Sequence, residues 1–385
     1  FARESEILIS DIDLEHIVTD RNKTNSFDGV TAESTSAFRT IEVPLLSKNA
    51  SDQKLLRKIL PHPFLPDDKS VRDNVCKEIF SIQSSALAKR IESSNIDKLV
   101  LGISGGLDST LALLVSVKAL ELLGKPVKNV LAFSLPGFGT TSRTKNNAEK
   151  LCEALGVSFE EINISKTVLD HFKDIGHNPN ITDVTYENSQ ARYRTMILMD
   201  KANQNHAIVV GTGDLSEIAL GWCTFNGDHI SQYGVNSGVP KTLVKYLVSW
   251  VAETEQKRTK AQKILEDIVD TPVSPELVKK GKEISQKTEE IIGPYELHDF
   301  FLYHLIRWGS SPSKIFFLAK KSFAEKYSDK TILKWLTLFL KRFFENQWKR
   351  SVMPDGPKVG SVALSPRGDW RMPSDADKTI WIEDL

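Results

Sequence analysis

The chain has 385 residues, enough to bury two or more hydrophobic cores. Fifty basic and fifty acidic side chains cancel, so its charge offers no argument for a nucleic-acid or membrane partner. Cys76, Cys152 and Cys223 are too far apart for a Cys-x-x-Cys metal site and suit a reducing compartment. The sequence shows no apolar run of about 20 residues and no signal-peptide pattern. We therefore predict a cytoplasmic protein.

The first 62 residues are predicted to be the end of one domain and a linker. Residues 7–14 alternate apolar and polar side chains, which predicts a strand, and a short helix follows to about Arg21. A lone strand is unstable without neighbours, so we expect its partners in sequence outside this chain, which opens on Phe1 rather than Met. Residues 22–62 are polar at first and proline-bounded at the end, as in a linker. Apolar residues at helical spacing then predict a helix over 70–93.

A glycine loop follows the apolar strand predicted at 99–103. The loop, Ser104–Ser109, contains Gly105 and Gly106 and leads into an apolar helix. Glycine lets backbone N–H groups converge on an anion, and the helix N-terminus adds its positive dipole end. The loop lacks the Lys of a Walker A motif, but Ser104, Ser109 and Thr110 offer hydroxyls and Asp108 a ligand for Mg²⁺. The alternative is a glycine turn that only joins a strand to a helix.

Strands and helices alternate from here to residue 210. Further strands are predicted at 127–135, 158–164 and 206–210, with helices from about Lys145 and over 186–203. This pattern predicts a doubly wound parallel α/β sheet, in which ligands gather at the carboxyl ends of the strands. The loop at 136–144 ends one strand with two glycines and several hydroxyls, including Thr140 and Thr141. It is predicted to contact adenine or ribose, or to be a hydrophilic connection.

The helix predicted over 186–203 carries two polar groups on one face. Asn188 and Arg192 are four residues apart, whereas Arg194 points elsewhere. The run Met196–Met199 is apolar nearly all round, so we expect this helix to be buried, in part against a second subunit.

A cluster of polar residues follows the strand at 206–210. Thr212 is placed to meet a nucleotide, and Glu217 lies one turn into the next helix, where it can share a metal ion with Asp108. Asp214 and Ser216 are predicted to cap that helix rather than to take part in catalysis. Asp228 lies in a loop further on.

The C-terminal part of the chain is predicted to be helical. Thr271–Pro275 interrupts a helix, and an amphipathic helix is expected over 297–308. The helix predicted at 331–348 is so rich in aromatic side chains that we assign them to a core. The basic residues near it are predicted to form a solvated face: Lys341, Arg342, Lys349 and Arg350.

These motifs resemble a known family. Ser104–Ser109 is similar to the pyrophosphate loop of the ATP pyrophosphatases. Together with 136–141, 188–192 and 211–217, and with the tail segments 354–360 and 364–370, it resembles the NAD⁺ synthetases, in particular their glutamine-dependent two-domain form. The likeness covers about 63–377, with the motifs in family order. Residues 1–21 resemble the last strand of a nitrilase-like amidase domain.

The resemblance implies a fold and a division of the chain. Residues 63–385 are expected to form a synthetase domain, with an α/β nucleotide-binding core of the HUP or Rossmann-like type at 63–250 and a helical extension at 251–385. A homo-oligomer, a dimer or larger, is implied.

The resemblance also implies a reaction and its site. ATP would adenylate the carboxylate of deamido-NAD⁺, and ammonia would then displace AMP. Mg²⁺ is assigned to Asp108 and Glu217, and ammonium to Asp228. The residues assigned to ATP are Gly102, Ile103, Ser104, Gly105, Gly106, Leu107, Asp108, Ser109 and Thr212; those assigned to deamido-NAD⁺ are Asn188, Arg192, Glu217, Trp222, Lys241 and Lys358. Lys241, Lys358 and Arg367 are candidates for positive charge near the phosphates. Phe225 departs from single-domain relatives, which have a Lys near this position.

The sequence leaves alternatives open for the nitrogen source and for the substrate. No cysteine of this chain lies in the context of an amidase nucleophile, so we expect the chain to use ammonia rather than glutamine. Another ATP pyrophosphatase, thiolating tRNA or forming GMP, is the second interpretation. A basic face or paired cysteines would favour the tRNA enzyme, and neither is present in the sequence. A catalytically silent oligomerisation or ammonia-channel module is the third, against which Asp108 and Glu217 argue.

Overall fold

The computed structural model of the chain describes residues 5–24, 39, 41–42, 55–139, 142–270 and 288–385. The strands are β1 (Lys98–Gly102), β2 (Val130–Ser134), β3 (Ser158–Glu161), β4 (Ala207–Gly211) and β5 (Tyr233–Gly234). The helices are α1 (Leu14–Asn22), α2 (Lys69–Ser94), α3 (Leu107–Leu122), α4 (Ser142–Leu155), α5 (Ser165–Asp174), α6 (Val184–Asn205), α7 (Leu215–Leu220), α8 (Lys241–Glu253), α9 (Lys260–Val269), α10 (Thr288–Ile292), α11 (Tyr295–Trp308), α12 (Pro312–Ser322), α13 (Asp329–Glu345), α14 (Gln347–Arg350) and α15 (Thr379–Glu383). None of the described helices is both long and apolar enough to cross a membrane.

The five strands form one parallel sheet in the order β3-β2-β1-β4-β5. β1 is central, and Leu99 lies opposite Val130 of β2 and Ile208 of β4. The chain runs from β1 to β2 and β3 on one side, then returns to β4 on the other. The loops after β1 and β4 therefore diverge at the carboxyl edge and leave a crevice, the switch point where such sheets bind ligands. The predicted doubly wound α/β class is confirmed.

Helices cover both faces of the sheet because its central strand is apolar on both. Leu99, Val100 and Leu101 are each 0% exposed, as expected for a strand buried on both sides. One face packs against α2, α3, α4, α8 and α9, and the other against α5 and α6.

A third core lies in the C-terminal helices. It is built by α11, α12 and α13 around Phe300, Phe339 and Phe343, so the predicted aromatic core is confirmed. Leu215 and Leu220 of α7 belong to the same core. The short helix α7 therefore connects the sheet edge to the C-terminal helices.

The strand predicted at residues 7–14 is wrong. Ile7 and Leu8 are 88% and 95% exposed, no strand of the described residues lies beside them, and helix α1 begins at Leu14. Without a neighbouring strand to supply hydrogen bonds, β-propensity does not produce a strand. Asp13 instead caps α1 through His16 N and pairs with Lys314 of α12.

Several element boundaries differ from prediction. A 3₁₀ turn at Val127–Asn129 precedes β2, and α4 begins at Ser142 rather than near Lys145. Thr140, Thr141 and the interruption at 271–275 lie outside the described residues. The division of the chain at residues 21, 62 and 250 stays a prediction.

Candidate functional site

The glycine loop after β1 has the form of an anion cradle. Gly105 has φ +82°, a conformation that favours glycine. The hydroxyl groups of Ser104 and Ser109 lie 3.1 Å apart, and Gly106 N donates to Ser104 Oγ at 3.2 Å. Helix α3 begins at Leu107 without a side-chain cap, so its first N–H groups are available to an anion.

The predicted role of Thr110 in this loop stays a prediction. Its side chain is 0% exposed, because Thr110 lies on the inward side of the first turn of α3. Its hydroxyl oxygen has no hydrogen-bond partner among the described residues.

Three carboxylates converge on one ammonium group at the switch point. Lys241 Nζ lies 2.8 Å from Asp108 Oδ2, 2.7 Å from Asp214 Oδ2 and 2.9 Å from Glu217 Oε1. One oxygen of each acid lies within 4.8 Å of the others. We call Asp108, Asp214 and Glu217 the acidic trio. Asp108 and Glu217, which are predicted to share a metal ion, thus lie close together.

Burial and charge act in opposite directions on these groups. Burial raises the pKa of Glu217 to about 6; Lys241 lowers it and Asp108 raises it again. Burial also raises the pKa of Asp214, against the effect of Lys241. The Lys241 ammonium is disfavoured by burial, but the trio holds its pKa well above the ordinary value.

A buried asparagine that the sequence analysis missed links the two loops of the site. Asn236 Nδ2 donates to Asp108 O at 2.9 Å and to Thr212 O at 3.1 Å. Gln83 of α2 donates in turn to Asn236 Oδ1 at 3.1 Å. Asn236 lies 128 residues from Asp108 and in a loop with no recognised pattern, so the sequence carried no signal for it.

The N-terminus of α7 is capped as predicted, but by Asp214 alone. Asp214 Oδ1 accepts from Glu217 N at 2.8 Å, and Asp214 N donates to Glu217 Oε2 at 3.3 Å, which forms a capping box. The predicted capping role of Ser216 is wrong. Its hydroxyl donates to Asp299 and accepts from Lys241 N at 2.8 Å.

Asp299, also missed, is a buried carboxylate that holds the start of α8. Besides Ser216, it accepts from Thr242 N at 3.0 Å and Thr242 Oγ1 at 2.6 Å. An acid at this place satisfies free N–H groups of a helix N-terminus and complements its dipole. Asp299, Ser216 and Thr242 thereby fix the backbone from which Lys241 reaches the trio.

Three cations hold the carboxyl end of α7, so the prediction of a solvated basic face is wrong for them. Arg342 Nε donates to Leu220 O at 3.0 Å, and Arg350 donates to Ala219 O at 2.9 Å. Lys349 Nζ donates to Gly221 O at 2.8 Å and to Cys223 O at 2.9 Å. Cations are favourable at a helix C-terminus.

A cleft beside α7 brings Asp228 and Glu217 together. Its lining includes both acids, Cys223 and Lys349. Asp228 Oδ1 accepts from Thr224 N at 2.8 Å. The cleft therefore connects Glu217 of the trio to the loop at 224–228.

Asn188 and Arg192 lie on one face of α6, as predicted, and both contact that loop. Thr224 Oγ1 donates to Asn188 Oδ1 at 2.8 Å, and Arg192 Nε donates to Phe225 O at 3.2 Å. Arg194 points elsewhere, as predicted, and donates to Leu135 O at 3.0 Å.

Other predicted residues lie around the same loop or on α6. Trp222 is partly buried under the guanidinium of Arg342, and Phe225 packs against Trp348. Met196 is 49% exposed in the single chain, so its predicted burial against a second subunit stays a prediction.

The two tail cations pair with carboxylates of the tail. Lys358 Nζ lies 2.7 Å from Asp369, and Arg367 Nε lies 2.7 Å from Asp355. The tail itself adjoins the site, since Gly234 N donates to Asp355 O at 2.7 Å. A role of Lys358 and Arg367 near phosphates stays a prediction.

Comparisons with known proteins agree with these features. The NAD synthase family model matches residues 79–342. The chain is 43% identical to the glutamine-dependent NAD(+) synthetase of Mycobacterium tuberculosis, over 98% of this chain and 59% of that protein. For the protein of that name from Thermotoga maritima the identity is 32%, over 77% and 47%. The chain thus spans about three fifths of the length of the first curated relatives that it matches.

A solved structure shares the fold. The glutamine-dependent NAD(+) synthetase of Cytophaga hutchinsonii matches with a TM-score of 0.64 and 18% identity, over 80% of this chain and 56% of that one. This likeness supports the α/β architecture described above.

Proposed function

This chain belongs to the NAD synthase family, and on that premise we propose that it amidates deamido-NAD⁺ to NAD⁺ at the expense of ATP. The nicotinate carboxylate attacks the α-phosphorus of ATP and releases pyrophosphate. Ammonia then attacks the acyl adenylate, and AMP leaves as the C–N bond forms and a proton is lost. The observation that carries the proposal is the meeting of an uncapped, glycine-led helix N-terminus with three carboxylates and a lysine at the switch point of the sheet.

The glycine loop is the proposed site for the β- and γ-phosphates. Its free N–H groups and the hydroxyls of Ser104 and Ser109 supply donors, and the dipole of α3 favours negative charge. Gly102, Ile103 and Leu107 place this loop, and Thr212, tied to it through Asn236, is proposed to contact the nucleotide from the other side of the crevice.

The trio fits Mg²⁺. Its donors are hard carboxylate oxygens held close together, and Asp108 Oδ1 is buried without a hydrogen-bond partner, an arrangement that suits this ion. Asp108 and Glu217 are proposed to hold it. When bound, Mg²⁺ offsets charge on the departing pyrophosphate.

Deamido-NAD⁺ is proposed to lie over the loop at 224–228. Asn188, Arg192 and Trp222 border that loop, and Lys241 and Lys358 are the proposed cations. Glu217 and Asp228 line one cleft, so Asp228 is proposed to hold ammonium or to take its proton where the acyl group would be attacked.

Ammonia is the proposed nitrogen donor for this chain. Burial raises the pKa of Cys76 to about 11, and of Cys152 and Cys223 to about 12. None of these thiols is activated as an amidase nucleophile would be. A cytoplasmic location and a homo-oligomer are part of the same proposal.

One experiment separates this function from the alternatives. ATP conversion to AMP and pyrophosphate is measured with ammonium chloride and each candidate acceptor in turn. We expect turnover with deamido-NAD⁺ only, with NAD⁺ formed in equal amount to AMP. Turnover with xanthosine monophosphate or tRNA instead would favour another ATP pyrophosphatase, and no turnover with any acceptor a silent module.

A further inference from the structure

We infer that Lys241 is the resident counter-ion of the acidic trio, and that a divalent metal ion binds there only by displacing its ammonium group. The inference rests on the proposed function, because that proposal assigns Mg²⁺ to Asp108 and Glu217. It goes further in making one lysine and the metal ion alternative occupants of the same carboxylates.

The ammonium group of Lys241 contacts all three acids, with hydrogen bonds to Asp108 Oδ2 at 2.8 Å and to Glu217 Oε1 at 2.9 Å. An ammonium group has three N–H bonds, and three carboxylate oxygens lie within 2.9 Å of Nζ. These include oxygens of both acids assigned to the metal. The ammonium group thus occupies the centre of the trio.

A divalent cation and this ammonium cannot share that centre. Mg²⁺ binds carboxylate oxygens at about 2.0–2.1 Å, so an ion held by Asp108 and Glu217 would lie within a few ångströms of Nζ. Like charges at such separations repel strongly, since the side chain of Lys241 is only 6% exposed and poorly screened. A metal ion that uses these oxygens therefore competes with Nζ of Lys241 for them.

The exchange needs movement of a side chain only. The backbone of Lys241 is fixed by the hydrogen bond from its N–H to Ser216, and the next residue is held by Asp299. The four-carbon stem of lysine is flexible, so Nζ can leave the trio while α8 stays in place.

Nucleotide and metal binding become coupled through this exchange. The displaced ammonium group needs a new anionic partner, because burial without one is costly. A polyphosphate in the glycine loop, next to Asp108, supplies that partner. Each ligand should therefore favour binding of the other, as linkage requires.

The test measures binding of Mn²⁺ alone, a spectroscopic substitute for Mg²⁺, by electron paramagnetic resonance without nucleotide. Lys241→Met removes the competing charge and keeps much of the side-chain volume. We expect Lys241→Met, and the polar variant Lys241→Gln, to bind Mn²⁺ at least tenfold more tightly than the unaltered chain. Adding Glu217→Gln to Lys241→Met should abolish this gain.

Lys314→Met is the matched control, because Lys314 also pairs with two carboxylates, Asp13 and Glu15, but far along the chain from the trio. It should leave Mn²⁺ affinity unchanged. Equal or weaker affinity in both Lys241 variants, or an equal gain in Lys314→Met, would overturn the inference alone. No Mn²⁺ binding to any of these proteins would overturn the metal assignment of the proposed function as well.

A crystal structure of the unaltered protein with Mn²⁺ tests the inference without a variant. We expect an anomalous peak at the trio with Nζ of Lys241 turned away from Asp108 and Glu217. A metal ion at the trio with Nζ still within hydrogen-bond distance of both acids would contradict the exchange.

Discussion

Asp299 is a buried carboxylate that binds hydroxyl and N–H groups rather than a cation. Burial raises its pKa, while the donors on Ser216 and Thr242 lower it. Through Ser216 it is connected to the backbone N–H of Lys241. Its position makes it a positioning residue for the lysine of the proposed site.

We expect Asp299→Asn to lower kcat by roughly ten- to a hundredfold, the scale of a misplaced catalytic group. The amide keeps the volume but offers one acceptor where the carboxylate has two, so the start of α8 loosens. Steady-state NAD⁺ formation from ammonia is the measurement, with Ser216→Ala as the milder second variant.

A double-variant cycle separates positioning from simple stability. If Asp299 acts through Lys241, Asp299→Asn should cost little further kcat in the Lys241→Met background, although both changes still reduce the unfolding free energy. Ser311→Ala, which removes the N-cap of α12, is the control for lost stability without lost activity. Additive losses in kcat would argue against the positioning role.

Arg350 is a buried cation that, like the buried anion Asp299, bonds to uncharged groups. Its guanidinium is 1% exposed, donates to Ala219 O at 2.9 Å and Gln347 Oε1 at 2.9 Å, and stacks on Phe343 at 4.2 Å. Arg350→Met fills the space but leaves carbonyl groups of α7 without donors. We expect a loss of about 2–4 kcal/mol in unfolding free energy by urea titration. Lys341→Met, at an exposed position on α13, should change it by less than about 0.5 kcal/mol.

The sequence predicted the chemistry of single residues better than their partners. Asp108 and Glu217 follow strand signals and lie at loop positions where parallel sheets place ligands, so their proximity was predictable. Asp299 lies in a helix predicted to be amphipathic, and Arg350 belongs to a basic face predicted to be solvated. Their hydrogen-bond partners, Ser216 and Ala219, are 83 and 131 residues away. Local periodicity carries no information on contacts at that separation.

At the level of elements, α7 is a helix of only six residues that connects several parts of the site. It carries two acids of the trio with its cap, belongs to the C-terminal core and ends on Gly221. Gly221 has φ +60°, and a Cβ there would overlap the side chain of Asn346. Both the conformation and the close approach require glycine.

Gly221→Ala is therefore expected to lower the unfolding free energy by about 1–3 kcal/mol through strain and displacement of Asn346. Because Glu217 lies one turn before Gly221, Mn²⁺ affinity should fall as well. Gly124→Ala is the matched control: it has φ +63° with nothing within 4 Å of its Cβ and lies after α3. Equal losses of metal affinity in both variants would show that backbone strain at Gly221 does not reach the trio.

Elements were predictable where a pattern was long or strongly apolar. The parallel strands β1 and β4 and the helices α2, α6 and α11 follow from apolar runs and helical spacing. β5 has two residues, too few for any alternation to show. Residues 7–14 have the alternation of a strand, but no strand lies beside them in the described chain. Without a pairing partner, β-propensity alone did not produce a strand.

At the level of the whole molecule, two buried histidines predict loss of stability in acid. Burial lowers the pKa of His298 to about 4 and of His304 to about 3. Both stay neutral in the folded chain, whereas in the unfolded chain they bind protons below about pH 6.5. Their contribution to stability is therefore present above pH 6.5 and is lost as the pH falls from there toward 4 and 3.

Each histidine should remove about 2 kcal/mol of unfolding free energy between pH 6.5 and pH 5, at about 1.4 kcal/mol per pH unit. Urea titrations at a series of pH values measure this loss. His304→Phe, which suits a site against Phe300, should reduce the pH dependence by about one histidine's share. An unchanged pH dependence would show that His304 does not supply it.

Hydrolysis of glutamine would need a reactive cysteine thiol. The nitrogen source therefore depends on the state of all three thiols of the chain. Cys76 and Cys152 are 1% and 0% exposed, and their thiols stay protonated at neutral pH. Cys223 lines the cleft with Asp228 but has a pKa raised to about 12, with burial the largest cause. A thiol in that state does not attack the amide of glutamine.

We therefore expect the chain to form NAD⁺ from ammonium chloride and not from glutamine, with a rate that rises with pH as free ammonia increases. Chromatographic separation of NAD⁺ from deamido-NAD⁺ measures both. Cys223→Ser should keep most of the ammonia-dependent rate, because a buried thiol in the cleft wall serves as a small apolar group. Equal rates with glutamine and ammonia, with only the glutamine-dependent rate lost in Cys223→Ser, would show instead that this thiol is a nucleophile and that the cleft is itself an amidase site.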